Sequence, residues 1–252
     1  MTIYPSLRDC PVFVTGGATG IGAAIVAAFA RQHARVGFLD IDAAAAASLI
    51  EGLVEDNLPP PWFREVDVTD VAALSNALES FATEVAATTV LVNNVADDTR
   101  HKPQDVTPEF WRRCLAVNLD AAYFASQAVF SAMAVARQGV ILNLSSINAL
   151  LGPVDMPGYV TAKAGLIGMT KALAREYGPS GVRVNGILPG WVATDRQLER
   201  WLTPEAEAEW MQHVALQTRI QAADVANLAL FLAADDSAMI TGQNIAIDGG
   251  RT

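Results

Sequence analysis

The chain has 252 residues, of which 52% are hydrophobic and 17% are charged, and its formal net charge is −10. This composition excludes an intrinsically disordered chain, and the acidic balance argues against a nucleic-acid partner because phosphate binding needs a basic face. No uninterrupted apolar run reaches about 18 residues, so we expect no membrane-spanning helix.

The two cysteines, Cys10 and Cys114, are too few for a disulfide framework and suit a reducing compartment. Residues 1–11 lack the basic region, the apolar stretch and the small-residue cleavage site that are typical of a secretion signal. The sequence therefore predicts a cytoplasmic protein.

Short apolar runs alternate with helical stretches along the whole chain. Seven runs are predicted as strands, at residues 12–15, 35–39, 63–66, 89–93, 139–144, 182–187 and 244–247. Six stretches are predicted as helices, at residues 21–32, 42–55, 70–86, 108–136, 159–177 and 222–234. Most of these strands are apolar at consecutive positions, which is typical of strands covered on both faces. The alternation predicts an α/β fold, a single doubly wound Rossmann-type domain over residues 1–252 with a seven-stranded parallel sheet flanked by helices.

A glycine-rich turn follows the first predicted strand and opens the first predicted helix. Gly16, Gly20 and Gly22 allow the backbone to turn tightly and to approach a pyrophosphate. The phosphate charge then lies at the helix N-terminus, where free N–H groups and the helix dipole favour an anion. The turn therefore predicts a dinucleotide site.

The second predicted strand leads into Asp40, which lies 18 residues beyond Gly22. A carboxylate at this position can accept both hydroxyls of an adenosine ribose and would repel a 2′-phosphate. The sequence therefore predicts NAD as the cofactor, with NADP less favoured. Asp42 fits a helix N-cap better than a ribose contact, and Arg64 leaves a route to NADP open.

Tyr159 and Lys163 lie four residues apart in a predicted helix and therefore share one face. A phenol normally titrates near ~10, which is too high for a base at neutral pH. A neighbouring ammonium and a positive nicotinamide ring would stabilise the phenolate and bring its pKa toward the working range. Ser146 lies 13 residues upstream of Tyr159, just after a predicted strand, so its hydroxyl is expected in the cofactor crevice.

These motifs, together with the C-terminal sequence Asp248-Gly249-Gly250, resemble the short-chain dehydrogenase/reductase family. The resemblance covers residues 10–252 and several ordered motifs. The catalytic residues that it implies are Asn118, Ser146, Tyr159 and Lys163.

The resemblance implies a role for each catalytic residue. Tyr159 takes the hydroxyl proton, Ser146 orients the substrate oxygen, and Lys163 lowers the tyrosine pKa and binds the nicotinamide ribose. Asn118 kinks the predicted helix 108–136 and helps to hold a water that links the lysine to solvent.

The resemblance also implies cofactor contacts at the carboxyl ends of the strands. Asp67-Val68 resembles the pair that holds the adenine ring, and Asn94 precedes Val95-Ala96, where the family has Ala-Gly. Residues 189–194 resemble the segment that binds the nicotinamide carboxamide. The implied cofactor-binding residues are Gly16, Thr19, Gly20, Ile21, Gly22, Asp40, Asp67, Val68, Asn94, Tyr159, Lys163, Pro189, Val192 and Thr194.

Further features resemble the aldose 1-dehydrogenase branch of this family, of the NAD-dependent D-xylose type. They lie at residues 3–7, 97–101, 196–197 and 203–205. Residues 190–210 form the longest segment without a predicted strand, and we predict a lid or substrate loop at about 190–215. A buried sugar needs several convergent polar partners, because each unpaired polar group costs ~1–3 kcal/mol. The residues that could supply them are Asp98, Arg100, Ser146, Asn148, Tyr159, Trp191 and Arg196.

Arg100 is the centre of this sugar hypothesis. Its guanidinium could donate to two sugar hydroxyls, or it could pair with Asp98 and orient that carboxylate. The alternative for residues 97–101 is a solvated loop. No metal site is predicted, because His101 stands beside acidic residues without a second histidine at ligand spacing.

We therefore expect an NAD-dependent enzyme that oxidises a pentose or a galactose-like aldose at C1 to the aldonolactone. One alternative is a dehydrogenase of a polyol or a 3-hydroxyacyl compound, although the polar segment 195–200 suits a sugar better than an acyl chain. Another is a dinucleotide-sensing regulator, which would be expected to have lost the tyrosine or the lysine. The family resemblance and the long, sparsely charged helices 108–136 and 159–177 predict a homotetramer.

Overall fold

Seven parallel strands form the sheet of the computed structural model, which describes residues 2–252. The strands are β1 (Pro11–Thr15), β2 (Arg35–Asp40), β3 (Trp62–Glu65), β4 (Val90–Asn93), β5 (Gly139–Leu144), β6 (Val182–Pro189) and β7 (Asn244–Ile247). Their order is β3-β2-β1-β4-β5-β6-β7, so the winding reverses between β1 and β4. A crevice opens beyond the carboxyl ends of the strands at such a switch point. The predicted seven-stranded, doubly wound domain is confirmed.

Helices cover both faces of the sheet. They are α1 (Gly20–Arg31), α2 (Ala43–Glu55), α3 (Val71–Glu84), α4 (Pro108–Leu115), α5 (Ala121–Ala136), α6 (Asn148–Leu151), α7 (Pro157–Tyr177), α8 (Asp195–Arg200), α9 (Pro204–Met211) and α10 (Ala222–Ala233). Alternate residues of β1 enter two separate cores: Val12 and Val14 pack toward α1 and α10, and Phe13 packs toward α3, α5 and α7. This burial on both faces explains the consecutive apolar residues of the central strands.

The predicted helix 108–136 is interrupted at its centre. Residues Ala116–Asp120 form a π-helical turn between α4 and α5, with Asn118 in its middle. Among residues 2–252 this is the one stretch whose length and apolar composition could span a membrane. In the structure, α4 packs against α7, and α5 packs against α3 and carries Ala125 and Val129 into the core. The stretch therefore has a packed position within this domain.

The segment predicted as a lid or substrate loop contains two short helices, α8 and α9. It leaves the sheet at the carboxyl end of β6, and Val192 forms a parallel β-bridge with Ile220. Leu202 and Val214 are buried, so the segment is anchored to the domain at several points. Its polar side chains lie over the crevice.

Candidate active site

The glycine-rich turn is shaped by contacts that leave no room for side chains. Gly16 has φ +68°, and a Cβ there would lie 2.8 Å from Val95 Cγ2. A Cβ on Gly22 would lie 1.8 Å from the Gly16 carbonyl oxygen. Asn94 fixes the same turn, because its Nδ2 donates to the Gly16 carbonyl at 2.7 Å. Val95 therefore packs on the turn itself, and Ala96 is exposed at the cavity.

Asp40 is held at the end of β2 by three backbone N–H groups. Its Oδ2 accepts from Ala18 N at 3.0 Å, and its Oδ1 accepts from Ile41 N at 2.8 Å and from Asp42 N at 3.1 Å. The carboxylate faces the cavity in a fixed orientation. Asp42 caps α2 as predicted, since its side chain accepts from Ala45 N.

Arg64, the residue that left NADP open as a cofactor, is held by contacts outside the cavity. Its guanidinium pairs with Glu84 at 3.3 Å and lies over the Trp62 ring, 5.1 Å from the centroid. Arg64 is not among the residues that line the cavity. The position of Arg64 therefore gives no support to a contact with the 2′-phosphate of NADP.

The remaining predicted cofactor residues surround the same crevice. A Cβ on Gly20 would lie 3.3 Å from Thr194 Cγ2, so Thr194 closes the cavity above the glycine-rich turn. Asp67 accepts from the backbone N–H and the hydroxyl of Thr69, which lowers the pKa of its carboxyl group. Arg113 lies 3.6 Å from Asp67, a contact that the sequence analysis missed.

Tyr159 and Lys163 occupy successive turns of α7 and point toward the carboxyl end of β5. Lys163 Nζ donates to the Leu144 carbonyl at 2.7 Å and lies 5.6 Å from the centroid of the Tyr159 ring. Only 8% of Tyr159 and 1% of Lys163 is exposed, so both polar groups depend on protein partners. The predicted pair is therefore assembled in the crevice.

Burial changes the titration of both groups in opposite directions. It raises the pKa of Tyr159 to about 12, although the Ser146 hydroxyl and, more weakly, the Arg100 charge oppose this rise. Burial lowers the pKa of Lys163 to about 8, against the opposing effect of Asp98. In the protein alone desolvation outweighs these opposing effects, and the lowering of the Tyr159 pKa by the ammonium together with a bound nicotinamide ring stays a prediction.

The two serines after β5 have different surroundings. Ser145 Oγ donates to the Lys163 carbonyl at 2.7 Å and so fastens α7 to the sheet. Ser146 Oγ accepts from Asn148 N at 3.1 Å and lines the cavity beside Tyr159. Of the two, Ser146 is the one with an atom free to contact a substrate oxygen.

Asn118 lies behind the cavity wall. Its Oδ1 accepts from Asp97 N at 2.9 Å, and its Nδ2 donates to the Asp97 carbonyl at 3.1 Å and to the Cys114 carbonyl at 2.9 Å. The side chain therefore holds the loop that carries Asp97 and Asp98, which the sequence did not predict. The kink predicted at Asn118 is present as the π-helical turn. Its role in proton exit stays a prediction.

A chain of polar contacts joins the lid segment to the loop after β4. Asp98 Oδ1 pairs with Arg196 Nη2 at 2.8 Å, and its Oδ2 accepts from Gln197 Nε2 at 2.8 Å. Gln197 Oε1 in turn accepts from Trp191 Nε1 at 2.9 Å. We name these four residues, Asp98, Arg196, Gln197 and Trp191, the lid clamp. Gln197, which the sequence analysis had not placed among the substrate residues, is its centre.

Of the two arrangements open for Arg100, the pairing with Asp98 is not formed, because Arg196 pairs with that carboxylate. Arg100 lies over the Trp201 ring, 5.1 Å from the centroid, and donates to Met156 Sδ. The guanidinium lines the cavity, and no carboxylate of residues 2–252 forms a salt bridge with it within 4.0 Å. It can therefore still donate to a ligand.

The predicted site residues surround one cavity of about 1030 Å³, large enough for a dinucleotide with a small substrate. Asn118 is the exception, behind the wall. Within residues 2–252 no cluster of three His, Cys, Asp or Glu side chains could hold a metal. The lining includes Gly16, Thr19, Gly20, Ile21, Gly22, Asp40, Asp67, Val68, Asn94, Asp98, Arg100, Ser146, Asn148, Tyr159, Lys163, Pro189, Trp191, Val192, Thr194 and Arg196.

Known proteins are similar to this chain over nearly its whole length. The family model described as "Enoyl-(Acyl carrier protein) reductase" matches residues 16–252. A relative from Rhizobium meliloti (strain 1021), named "Probable galactose dehydrogenase GalD", is 44% identical over 98% of this chain and 96% of its own. A D-xylose 1-dehydrogenase of Caulobacter vibrioides (strain NA1000 / CB15N) is 43% identical over 98% of both chains. A 3-oxoacyl-[acyl-carrier protein] reductase structure with bound NAD, from Brucella melitensis, superposes with a TM-score of 0.89 and 33% identity over 98% of this chain and 93% of its own.

The fold, the site and these similarities together define the class of protein. The chain belongs to the short-chain dehydrogenase/reductase family, as its motifs predict. It is an oxidoreductase that acts on alcohol groups and uses a nicotinamide dinucleotide. Two of its relatives within the family are named for galactose and D-xylose.

Proposed function

We propose that the protein is an NAD-dependent dehydrogenase that oxidises an aldose at C1 to the aldonolactone. The observation that carries this proposal is the polar substrate end of the cavity, where Asp98, Arg100 and Asn148 stand beside Tyr159. A sugar hydroxyl can pair with the Arg100 guanidinium and the Asn148 amide, whereas an acyl chain would cover these two groups without a hydrogen-bond partner, at ~1–3 kcal/mol each. The names of the two sugar dehydrogenases among the relatives point the same way.

The roles proposed for the side chains follow from their positions. Bound NAD would supply the hydride acceptor and a positive charge beside the phenol. Tyr159 takes the hydroxyl proton of the sugar, and Ser146 holds that oxygen at the phenol. Lys163, with its ammonium on the Leu144 carbonyl, binds the nicotinamide ribose and favours the phenolate.

NAD is proposed over NADP because of Asp40. Three backbone N–H groups neutralise part of the charge of its carboxylate and fix its direction toward the adenosine ribose. A 2′-phosphate at the same place would meet the carboxylate, and Arg64 could not compensate because it is paired with Glu84 outside the cavity lining.

The proposal is tested with purified protein, NAD and a panel of alcohols, with NADH absorbance as the readout. We expect D-galactose or D-xylose to be the best substrate, ahead of polyols and 3-hydroxyacyl thioesters. Turnover of 3-hydroxyacyl compounds or polyols alone would replace the sugar assignment by that alternative. Dinucleotide binding without turnover of any alcohol would support a dinucleotide-sensing regulator.

Arg100→Ala tests the sugar contact. We expect the KM for the best aldose to rise about tenfold or more with little change in KM for NAD, because a charged hydrogen bond contributes ~1.5–3 kcal/mol. Arg31→Ala, which removes an exposed arginine paired with Asp56, is the matched control. Wild-type KM in Arg100→Ala for every aldose would support the solvated-loop alternative for residues 97–101.

We further propose a homotetramer in the cytoplasm. Helix α5 carries no charged side chain, and its Tyr123 and Val135 are exposed, so a second copy could cover this face. The two free cysteines suit a reducing compartment. Light scattering at micromolar concentration is expected to give four times 26.7 kDa, and a mass of 26.7 kDa would contradict the assembly.

A further inference from the structure

Helix α7, which carries Tyr159 and Lys163, begins without a cap of its own. Its N-cap residue is Met156, whose side chain accepts no backbone hydrogen bond there, and its first residue is Pro157. Proline has no N–H group, so the first donor that needs a partner is the Gly158 N–H. The residue that follows this unsatisfied donor is Tyr159 itself.

A histidine from a distant loop supplies the missing acceptor. His101 Nε2 accepts from Gly158 N at 3.0 Å, and the backbone N–H of His101 donates to the Asp155 carbonyl at 2.7 Å. The imidazole packs against Phe110 with ring centroids 4.6 Å apart. A Cβ on Gly158 would lie 3.2 Å from Nε2, so glycine permits this close approach.

The hydrogen bonds of the ring define its tautomer. Because Nε2 accepts from Gly158 N, its lone pair is used and the ring proton is on Nδ1. Nδ1 lies 2.8 Å from the Thr99 carbonyl oxygen, which accepts that proton. The neutral ring therefore connects the loop of residues 97–101 to the first turn of α7.

We propose that His101 is a positioning residue for Tyr159. By capping Gly158, it fixes the first turn of α7 and with it the direction of the phenol toward the substrate oxygen. A misplacement of about 1 Å at a reacting group can reduce the rate of the chemical step by 10²-fold. His101 is not among the residues that line the cavity, so it acts through Tyr159 and leaves the dinucleotide contacts unchanged.

The pair His101→Gln and His101→Asn tests this role, because the two side chains differ by one methylene. Glutamine can reach the Gly158 N–H with its Oε1, whereas asparagine reaches only the position of Nδ1 near Thr99. We expect kcat within about threefold of wild type for His101→Gln and at least tenfold lower for His101→Asn. The Kd for NAD should be alike in the two variants, while the melting temperature should be somewhat lower for His101→Asn, because the Gly158 N–H loses its acceptor. Equal kcat values in two folded variants would overturn the proposal.

The assay uses whichever alcohol the wild-type enzyme oxidises, so failure of the sugar assignment does not affect the comparison. A second measurement needs neither a substrate nor a folded variant. The ¹⁵N chemical shifts of the wild-type imidazole are expected to show the proton on Nδ1 and an unprotonated Nε2. A ring with its proton on Nε2 could not accept from Gly158 N, and that result would overturn the proposal even if His101→Asn did not fold.

Discussion

The end of the cavity proposed to bind the dinucleotide and the end proposed to bind the sugar are built in different ways. At the dinucleotide end, Gly22 lies against the Gly16 carbonyl, and Asp40 accepts from the backbone N–H groups of Ala18, Ile41 and Asp42. At the sugar end, the lid clamp joins Asp98 to Gln197 across 99 positions of the chain. The first end is built mainly from backbone groups, with Asn94 holding the turn from the loop after β4, and the second depends on pairs of side chains that meet only after folding.

This difference predicts different responses to substitution. A change at the dinucleotide end should alter cofactor choice and leave sugar affinity almost unchanged. A change in the lid clamp should alter sugar affinity and leave cofactor choice unchanged. Tyr159 and Lys163 lie where the two ends meet, and both side chains are buried. Their substitution should therefore change turnover and also the free energy of unfolding.

The largest expected effect is at this junction. Tyr159→Phe keeps the ring but removes the hydroxyl that accepts the proton, and loss of a general base typically reduces turnover ~10²–10⁴-fold. We expect kcat to fall in this range while the Kd for NAD stays nearly constant. Lys163→Ala should also weaken NAD binding, because we propose that the ammonium binds the nicotinamide ribose. An equal loss of NAD affinity in both variants would contradict this division of roles.

The buried charge of Lys163 should also lower the free energy of unfolding at neutral pH. Burial lowers its pKa in the folded protein to about 8, below the value of 10.5 expected for an exposed lysine. Below pH 8 the folded protein must hold a buried charge, and this cost is relieved as the pH rises from about 8 to 10.5, where only the unfolded chain keeps the proton.

Lys163→Met is therefore expected to be inactive yet more stable at pH 7, by about 1–3 kcal/mol. The gain should shrink above pH 8 because the wild-type lysine becomes neutral there. Denaturant unfolding at pH 7 and pH 9.5 measures both effects. A variant that is less stable than wild type at pH 7, or a gain that grows with pH, would be the opposite result.

Asp40→Ala tests whether the dinucleotide end responds alone. The substitution removes the acceptor of the ribose hydroxyls and the charge that repels a 2′-phosphate. We expect the ratio of kcat/KM for NAD to that for NADP to fall at least tenfold, about 1.4 kcal/mol, with the same KM for sugar. Asp70→Ala, which removes the equivalent cap of α3 and lies outside the cavity lining, is the control. A wild-type enzyme that already uses both cofactors equally would show that Asp40 does not set the choice.

Gln197→Ala tests whether the sugar end responds alone. Gln197 contacts both Asp98 and Trp191, so its removal breaks the lid clamp at its centre. We expect the KM for sugar to rise about fivefold, consistent with loss of neutral hydrogen bonds worth ~0.5–1.5 kcal/mol each, while the NAD to NADP ratio is unchanged. Gln212→Ala, an exposed glutamine just after α9, is the matched control. A change of cofactor preference in Gln197→Ala would show that the two ends are not separable.

The same contrast explains what the sequence could predict. Short apolar runs between helical stretches predict the seven strands, and the spacing of glycines before a helix predicts the turn. The sequence could predict both because each pattern lies within a few consecutive residues. The sequence offered Arg100 as one possible partner of Asp98, but Arg196 is the partner, since proximity along the chain does not decide which arginine reaches a carboxylate. The contacts of the Asn118 amide with the Asp97 backbone were likewise not indicated by the sequence. Such contacts between distant segments leave no periodic signal.

A substrate deuterated at C1 shows most directly whether the protein removes hydride from C1 of an aldose and transfers it to NAD. D-galactose and D-xylose labelled in this way are oxidised with the wild-type enzyme and NAD, and the products are examined by mass spectrometry and NMR. We expect one deuterium at C4 of the nicotinamide ring of NADH and an unlabelled aldonolactone. NADH formed without deuterium, or label retained in the sugar product, would contradict this expectation.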